Sequence, residues 1–248
     1  MPPLVRAGAG PRLLMIHGSA ADHTTWSIQL HSETLTSRFE LVTYDRPIGK
    51  TIEQHADDAI GIIDELGAPV VVVGSSFGGV VALDLIRRRP ELARGAVLCE
   101  PPLAPSDDEA PIPERFLAEF DAIAARDGGE AAGELFLRHV LGDVAFMRMP
   151  KLFRARSKAL WREIRDDSAA LGAYRVRYDL LRAVEVPVLL LGGDRSAAWF
   201  RPTLEALAAA LGRARVEILV GAGHMMQAEA HRRFAEVLIR FCAEVGHG

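Results

Sequence analysis

Short apolar runs alternate along the chain with stretches whose apolar positions recur every three or four residues, a pattern that predicts repeated strand and helix units of an α/β fold. Residues 12–16, 41–44, 70–73, 95–99, 187–191 and 216–220 read as strands, rich in valine and leucine and followed by Gly, Pro, His or Asp. The four valines after Pro69 are unbroken by any polar residue, as expected of a strand buried on both faces. Between strands the spacing predicts helices over 56–66, closed by Gly67, over 80–89, closed by Pro90, over 204–211, closed by Gly212, and over about 230–245. From Pro101 to about Leu181 the strand pattern lapses and four helical patterns follow instead, over 114–125, 130–141, 151–165 and 168–181. The expected organisation is therefore a core formed by 1–100 and 182–248, with 101–181 inserted as a helical cap.

The valine strand runs into Gly74, Ser75, Ser76, Phe77 and Gly78, a G-x-S-x-G turn that opens a helix. A side chain at the middle of such a turn is pushed out at the carboxyl edge of the sheet, which makes Ser76 the candidate nucleophile. A serine hydroxyl needs a base, an orienting acid and hydrogen-bond donors for the developing oxyanion. Backbone N–H groups of Ser19, in the His17-Gly18-Ser19 loop after an early strand, and of Phe77, directly after the nucleophile, are the candidate donors. His17 itself reads as a brace for its loop. His224, behind Gly221 and Gly223 after the last strand, is the candidate base. For the acid two carboxylates stand at strand ends: Glu100, held at the edge by Pro101 and Pro102, is favoured, and Asp194 is the alternative.

Composition narrows the function classes. With 248 residues, 49% hydrophobic and 25% charged, one core is expected, and a net charge of -4 gives no basic excess for nucleic acid. No run approaches the roughly 18 apolar residues of a membrane span, and 1–10 lacks the apolar centre of a signal peptide, so a cytoplasmic location is expected. Cys99 and Cys242 read as buried thiols. Gly49-Lys50-Thr51 imitates the end of a phosphate-binding loop, but Tyr44 stands where the first glycine belongs and Pro47 removes a donor. His231 lies seven residues after His224, with no clustered third residue to suggest a metal. The run from Arg138 to Arg165 is strongly basic and reads as a solvated helix face.

Taken together, the strand-His-Gly segment at 15–19, the elbow at 74–78, the interruption after the next strand and the late Gly223-His224 make the chain resemble capped bacterial serine esterases of the α/β-hydrolase fold. The resemblance spans 12–241 and implies a mostly parallel sheet flanked by helices, here of six or seven strands because the amino terminus is too short for the usual first hairpin. The loop after Tyr44 is a trimmed form of the family's Arg-Gly-x-Gly-x-Ser segment, and the position where relatives usually carry the acid is Ser196. Some relatives place a glutamate where Glu100 stands, which adds to its candidacy. The resemblance implies hydrolysis of a carboxylic ester, thioester or lactone without cofactor or metal, on a small-molecule acyl substrate. Carbon-carbon bond hydrolysis, lyase or perhydrolase activity, and a non-catalytic binding module, are the alternatives on the same scaffold; the oligomeric state is left open. The apolar cap residues Phe116, Phe136, Met147, Met149, Phe153 and Trp161 are expected to line the acyl pocket as a set, while each taken singly reads as part of the cap's own core.

Overall fold

The computed structural model describes residues 2–67 and 69–248; Met1 and Ala68 lie outside them. Among the described residues the sheet has seven strands: β1 (Leu4–Ala7), β2 (Arg12–Ile16), β3 (Glu40–Tyr44), β4 (Val70–Ser75), β5 (Ala93–Cys99), β6 (Val188–Gly193) and β7 (Ala214–Leu219). Their order is β1-β3-β2-β4-β5-β6-β7, with β1 antiparallel to β3 and every other pair parallel. Alternation of side chains along each strand divides the core in two. Val70 and Val72 face one layer with the helices Ile52–Leu66 and Phe77–Arg88, and Val71 and Val73 face the other with Trp26, Phe234, Leu238 and Phe241. All four valines are fully buried, as an uninterrupted β-branched run between two helical layers requires.

Register sets the site. Ile16 pairs with Gly74, Ser75 with Cys99, Cys99 with Leu191 and Gly193 with Leu219, so the six parallel strands end nearly level. The residues that follow them (His17, Arg46, Ser76, Glu100, Asp194 and His224) therefore come out at one edge, the usual place for a ligand in a parallel sheet.

The interrupting segment folds as Glu114–Asp127, Gly129–Leu141, Asp143–Arg148, Lys151–Ala159, Trp161–Ala173 and Tyr178–Leu181. The patterns at 151–165 and 168–181 are thus redivided: the chain turns at Leu160 and the next helix runs through to Ala173. Close packing accounts for the turn, since Gly133 admits the backbone of Lys158 and Gly129 admits the Trp161 ring, where a Cβ would collide with each. Tyr174 then ties the segment to the elbow helix through a 3.0 Å hydrogen bond to buried Asp84. No helix among the described residues is long and apolar enough to cross a membrane.

Candidate active site

Ser76 sits between β4 and the helix Phe77–Arg88 with φ 53° and ψ -121°, a strained conformation for a residue with a Cβ. The glycines around it allow the turn: a Cβ on Gly74 would lie 2.3 Å from Gly78 O, and one on Gly78 would lie 2.2 Å from Ile16 O. Phe77 opens the helix, so its N–H has no partner within it and remains available at the sheet edge. Gly18 passes so close to the nucleophile that a Cβ there would stand 2.9 Å from Ser76 Cβ, which brings the Ser19 loop against the elbow.

His224 and Glu100 meet across 124 residues of sequence. His224 Nδ1 donates to Glu100 Oε2 at 2.7 Å, and Gly193 N–H donates to the other oxygen, Oε1, at 2.8 Å. Both side chains are buried, and Glu100 is held with φ 44° by its position between strand end and double proline. The carboxylate oxygen fixes the proton on Nδ1 and leaves Nε2 as the basic nitrogen of the ring. Phe200 stacks on the His224 ring at 4.5 Å and 12°, holding its plane. Asp194 is not drawn in: its Oδ1 accepts from Gly221 N–H at 2.7 Å and secures the turn after β7. Ser196 Oγ is buried without a hydrogen-bond partner among the described residues.

His17 braces the loop as read from sequence. Its Nδ1 donates to Gly18 O at 2.8 Å and its Nε2 accepts from Arg46 N–H at 3.1 Å, so both ring nitrogens are engaged. Burial, with the neighbouring Arg46 charge, lowers its pKa to about 3, and the same causes lower that of His55 to about 4. Beside them Glu163 is pushed up to about 8 by burial, although Arg46 pulls the other way. These three groups give stability a defined pH dependence. The histidines stay neutral when folded but protonate near 6.5 when unfolded, so stability falls as the pH drops from 6.5 through 4. Glu163 keeps its proton up to about pH 8 when folded but loses it near 4.5 when unfolded, so stability falls as the pH rises through that window. Two groups oppose one below 6.5, and the expected maximum lies near pH 6.5. Urea unfolding at stepped pH checks this: Glu163→Gln is expected to flatten the alkaline limb and to steepen the acid limb between about pH 4.5 and 6.5, where the carboxyl no longer opposes the two histidines.

The helical segment contradicts part of the expected lining. Met147 and Phe153 are 60% and 52% exposed, because the short helices that carry them turn those faces outward. Phe116, Phe136, Met149 and Trp161 pack instead on the segment's own core of Phe120, Ala132, Leu137, Phe146 and Ile164, which also takes in Ala20 from the Ser19 loop. An aromatic file links this core to the histidine: Phe116, His139, Trp199, Phe200 and His224 follow one another at centroid spacings of 3.7 to 6.1 Å. Much of the basic run is neutralised locally, with Arg138 on Glu134 and Asp143, Arg156 on Asp22, and Arg165 on Asp121. Gly49-Lys50-Thr51 serves structure as well: Lys50 pairs with Asp58, and Thr51 caps the helix Ile52–Leu66 reciprocally with Gln54. Both cysteines are buried free thiols whose pKa burial raises, which suits them to packing and not to nucleophilic attack.

Sequence reasoning passed over Arg46, Asp167, Glu163 and Phe200. Arg46 alone carried a signal, as the arginine of the trimmed loop after β3.

Comparison with known proteins agrees with the fold. Residues 13–237 match the model of the alpha/beta hydrolase family. The chain is similar to the 2-hydroxymuconate semialdehyde hydrolase of Pseudomonas sp. strain CF600, at 28% identity over 96% of this chain and 89% of the relative. Similarity to the uncharacterised hydrolase YraK of Bacillus subtilis reaches 33% identity but is confined to 108 residues, 38% of either chain. Among solved structures, a thermophilic esterase from Thermogutta terrifontis has the same fold, with a TM-score of 0.80 at 23% identity over 99% of this chain and 94% of the other.

Proposed function

The chain belongs to the alpha/beta hydrolase family and is a hydrolytic enzyme, and from that premise we propose that it cleaves a carboxylic ester, thioester or lactone through an acyl-enzyme on Ser76. Ser76 Oγ attacks the carbonyl carbon while His224 Nε2 takes its proton, and the carbonyl electrons move onto the oxygen facing the Ser19 and Phe77 N–H groups. Collapse of this intermediate breaks the bond to the leaving group, to which the imidazolium returns the proton. Water, deprotonated by the same nitrogen, then releases the acid and restores Ser76. Glu100 keeps the histidine in the required tautomer and stabilises the imidazolium. The step calls for no metal or redox cofactor.

The observation that carries this reading is the 2.7 Å hydrogen bond between Glu100 and His224 at the sheet edge where the strained elbow presents Ser76. The helical segment 101–181 acts as a cap over that edge, supported by its contacts with the Ser19 loop and with Trp199. The likeness to a hydrolase of 2-hydroxymuconate semialdehyde favours a second reading, cleavage of a carbon-carbon bond beside a ketone by the same serine and histidine. Acid quenching during turnover of p-nitrophenyl butyrate tests the first: one butyryl group is expected on Ser76 in wild-type protein and none in Ser76→Ala. Turnover of a β-diketone in preference to every ester tried would establish the second.

A further inference from the structure

One buried guanidinium bonds the two residues before Ser19 and lies over Phe77, beside both expected oxyanion donors. Arg46, whose side chain is 1% exposed, donates from Nε to His17 O at 3.2 Å and from Nη2 to Gly18 O at 3.1 Å, the two carbonyls that precede Ser19. The same group lies 4.2 Å over the ring of Phe77, the residue that carries the second N–H. Nη1 also donates to His55 Nε2 at 3.3 Å on the core helix Ile52–Leu66, and the other bonds reach the helix Trp161–Ala173: Nη2 to Asp167 Oδ2 at 2.8 Å and Nη1 to Asp167 Oδ1 at 3.2 Å, with Glu163 Oε1 3.6 Å away. Asp167 Oδ2 also accepts from Ser19 Oγ at 2.6 Å. The next residue, Ala20, is held at φ 59° with its side chain in the apolar core of the helical segment.

We propose that Arg46 and Asp167 are a positioning pair through which seating of the helix Trp161–Ala173 sets the oxyanion loop at Ser19. The proposal rests on the reading of Ser19 and Phe77 as oxyanion donors. Its physical basis is that such donors work only when aimed within a fraction of an ångström at the developing charge, and a loop of glycine, serine and alanine has little packing of its own to hold it there. The bidentate contact between guanidinium and carboxylate supplies a rigid, planar connection between the core and the segment. Withdrawal of the helix would leave the guanidinium without its carboxylate and Ser19 Oγ without its acceptor, so an unseated segment and an aimed Ser19 N–H do not coexist.

The test compares wild type with Ser19→Ala, Asp167→Asn, Arg46→Lys and the Ser19→Ala, Asp167→Asn double variant, using p-nitrophenyl butyrate as substrate and an alkyl trifluoromethyl ketone as mimic of the tetrahedral adduct. Circular dichroism and thermal unfolding establish the folded fraction. Asp167→Asn is expected to lower kcat by about 10- to 100-fold with KM changed less than about threefold, and to weaken the ketone in proportion to kcat/KM. Ser19→Ala keeps its N–H and is expected to lose a smaller part of the same effect, with no further loss in the double variant because the two share one hydrogen bond. Should Arg46→Lys fail to fold, the Ser19 and Asp167 arms decide. Folded Asp167→Asn and Ser19→Ala with kcat and ketone affinity within about twofold of wild type would overturn the pair while Ser76 still labels with a fluorophosphonate. A wild-type protein whose Ser76 does not label would take down the underlying reading, and the pair with it.

Discussion

Ser76→Ala is expected to lower kcat by about 10⁴-fold or more while the unfolding temperature stays close to that of wild type. The loss is large because serine, histidine and acid act as a unit, so removal of the nucleophile leaves the oxyanion donors and binding contacts with little to assist. The fold survives because alanine keeps the Cβ at φ 53° and therefore the same backbone strain, and because Ser76 is only half-buried. The Glu100–His224 hydrogen bond is untouched by the change. Steady-state kinetics on p-nitrophenyl butyrate beside a thermal melt measure both halves. Activity near the wild-type level would remove Ser76 from the chemistry.

Glu100→Gln is expected to cost about 10³- to 10⁴-fold in kcat, against less than about threefold for Asp194→Asn. The contrast follows from hydrogen-bond direction. Gly193 N–H donates to Glu100 Oε1, so a glutamine there keeps its oxygen on that side and turns its NH₂ towards His224 Nδ1. The histidine must then accept at Nδ1 and carry its proton on Nε2, the nitrogen that has to take the proton of Ser76. At position 194 the amide oxygen of asparagine still accepts from Gly221 N–H, so the turn after β7 keeps its bond. The two isosteric variants are assayed side by side across pH. A large loss confined to Asp194→Asn would restore the acid position after β6.

The α/β pattern and the elbow were legible because their signals are local. Four valines, a proline before them and glycines two residues either side of Ser76 specify strand, turn and helix without any distant partner. Glu100 was legible for a related reason: the double proline after it ends β5 at the edge where Ser76 emerges, and the level register brings it there. Asp194 stands at the same edge, where its hydrogen bond goes to Gly221 while that of Glu100 goes to His224. The Arg46 cluster was hidden by distance along the chain, since its bonds to Asp167 span 121 residues and that from Ser19 spans 148. No periodicity registers such a pair, and Asp167 on its helix reads as an ordinary solvated carboxylate. In the helical segment Phe116, Phe136, Met149 and Trp161 take the core reading, and only where an apolar residue was equated with a buried one did both readings miss. Met147 and Phe153 lie on helices of six and nine residues, each too short to bury all its apolar side chains.

The most direct measurement is covalent labelling with a fluorophosphonate, followed by peptide mapping. An electrophilic phosphorus reacts with a serine whose proton is drawn off by a base and whose adduct is held by oxyanion donors, so it reports the assembled site and not the serine alone. The result expected is stoichiometric label on the peptide containing Ser76, absent in Ser76→Ala and formed far more slowly in Glu100→Gln than in Asp194→Asn. Folded wild-type protein that takes no label, or takes it on another residue, would contradict a Ser76, His224 and Glu100 triad.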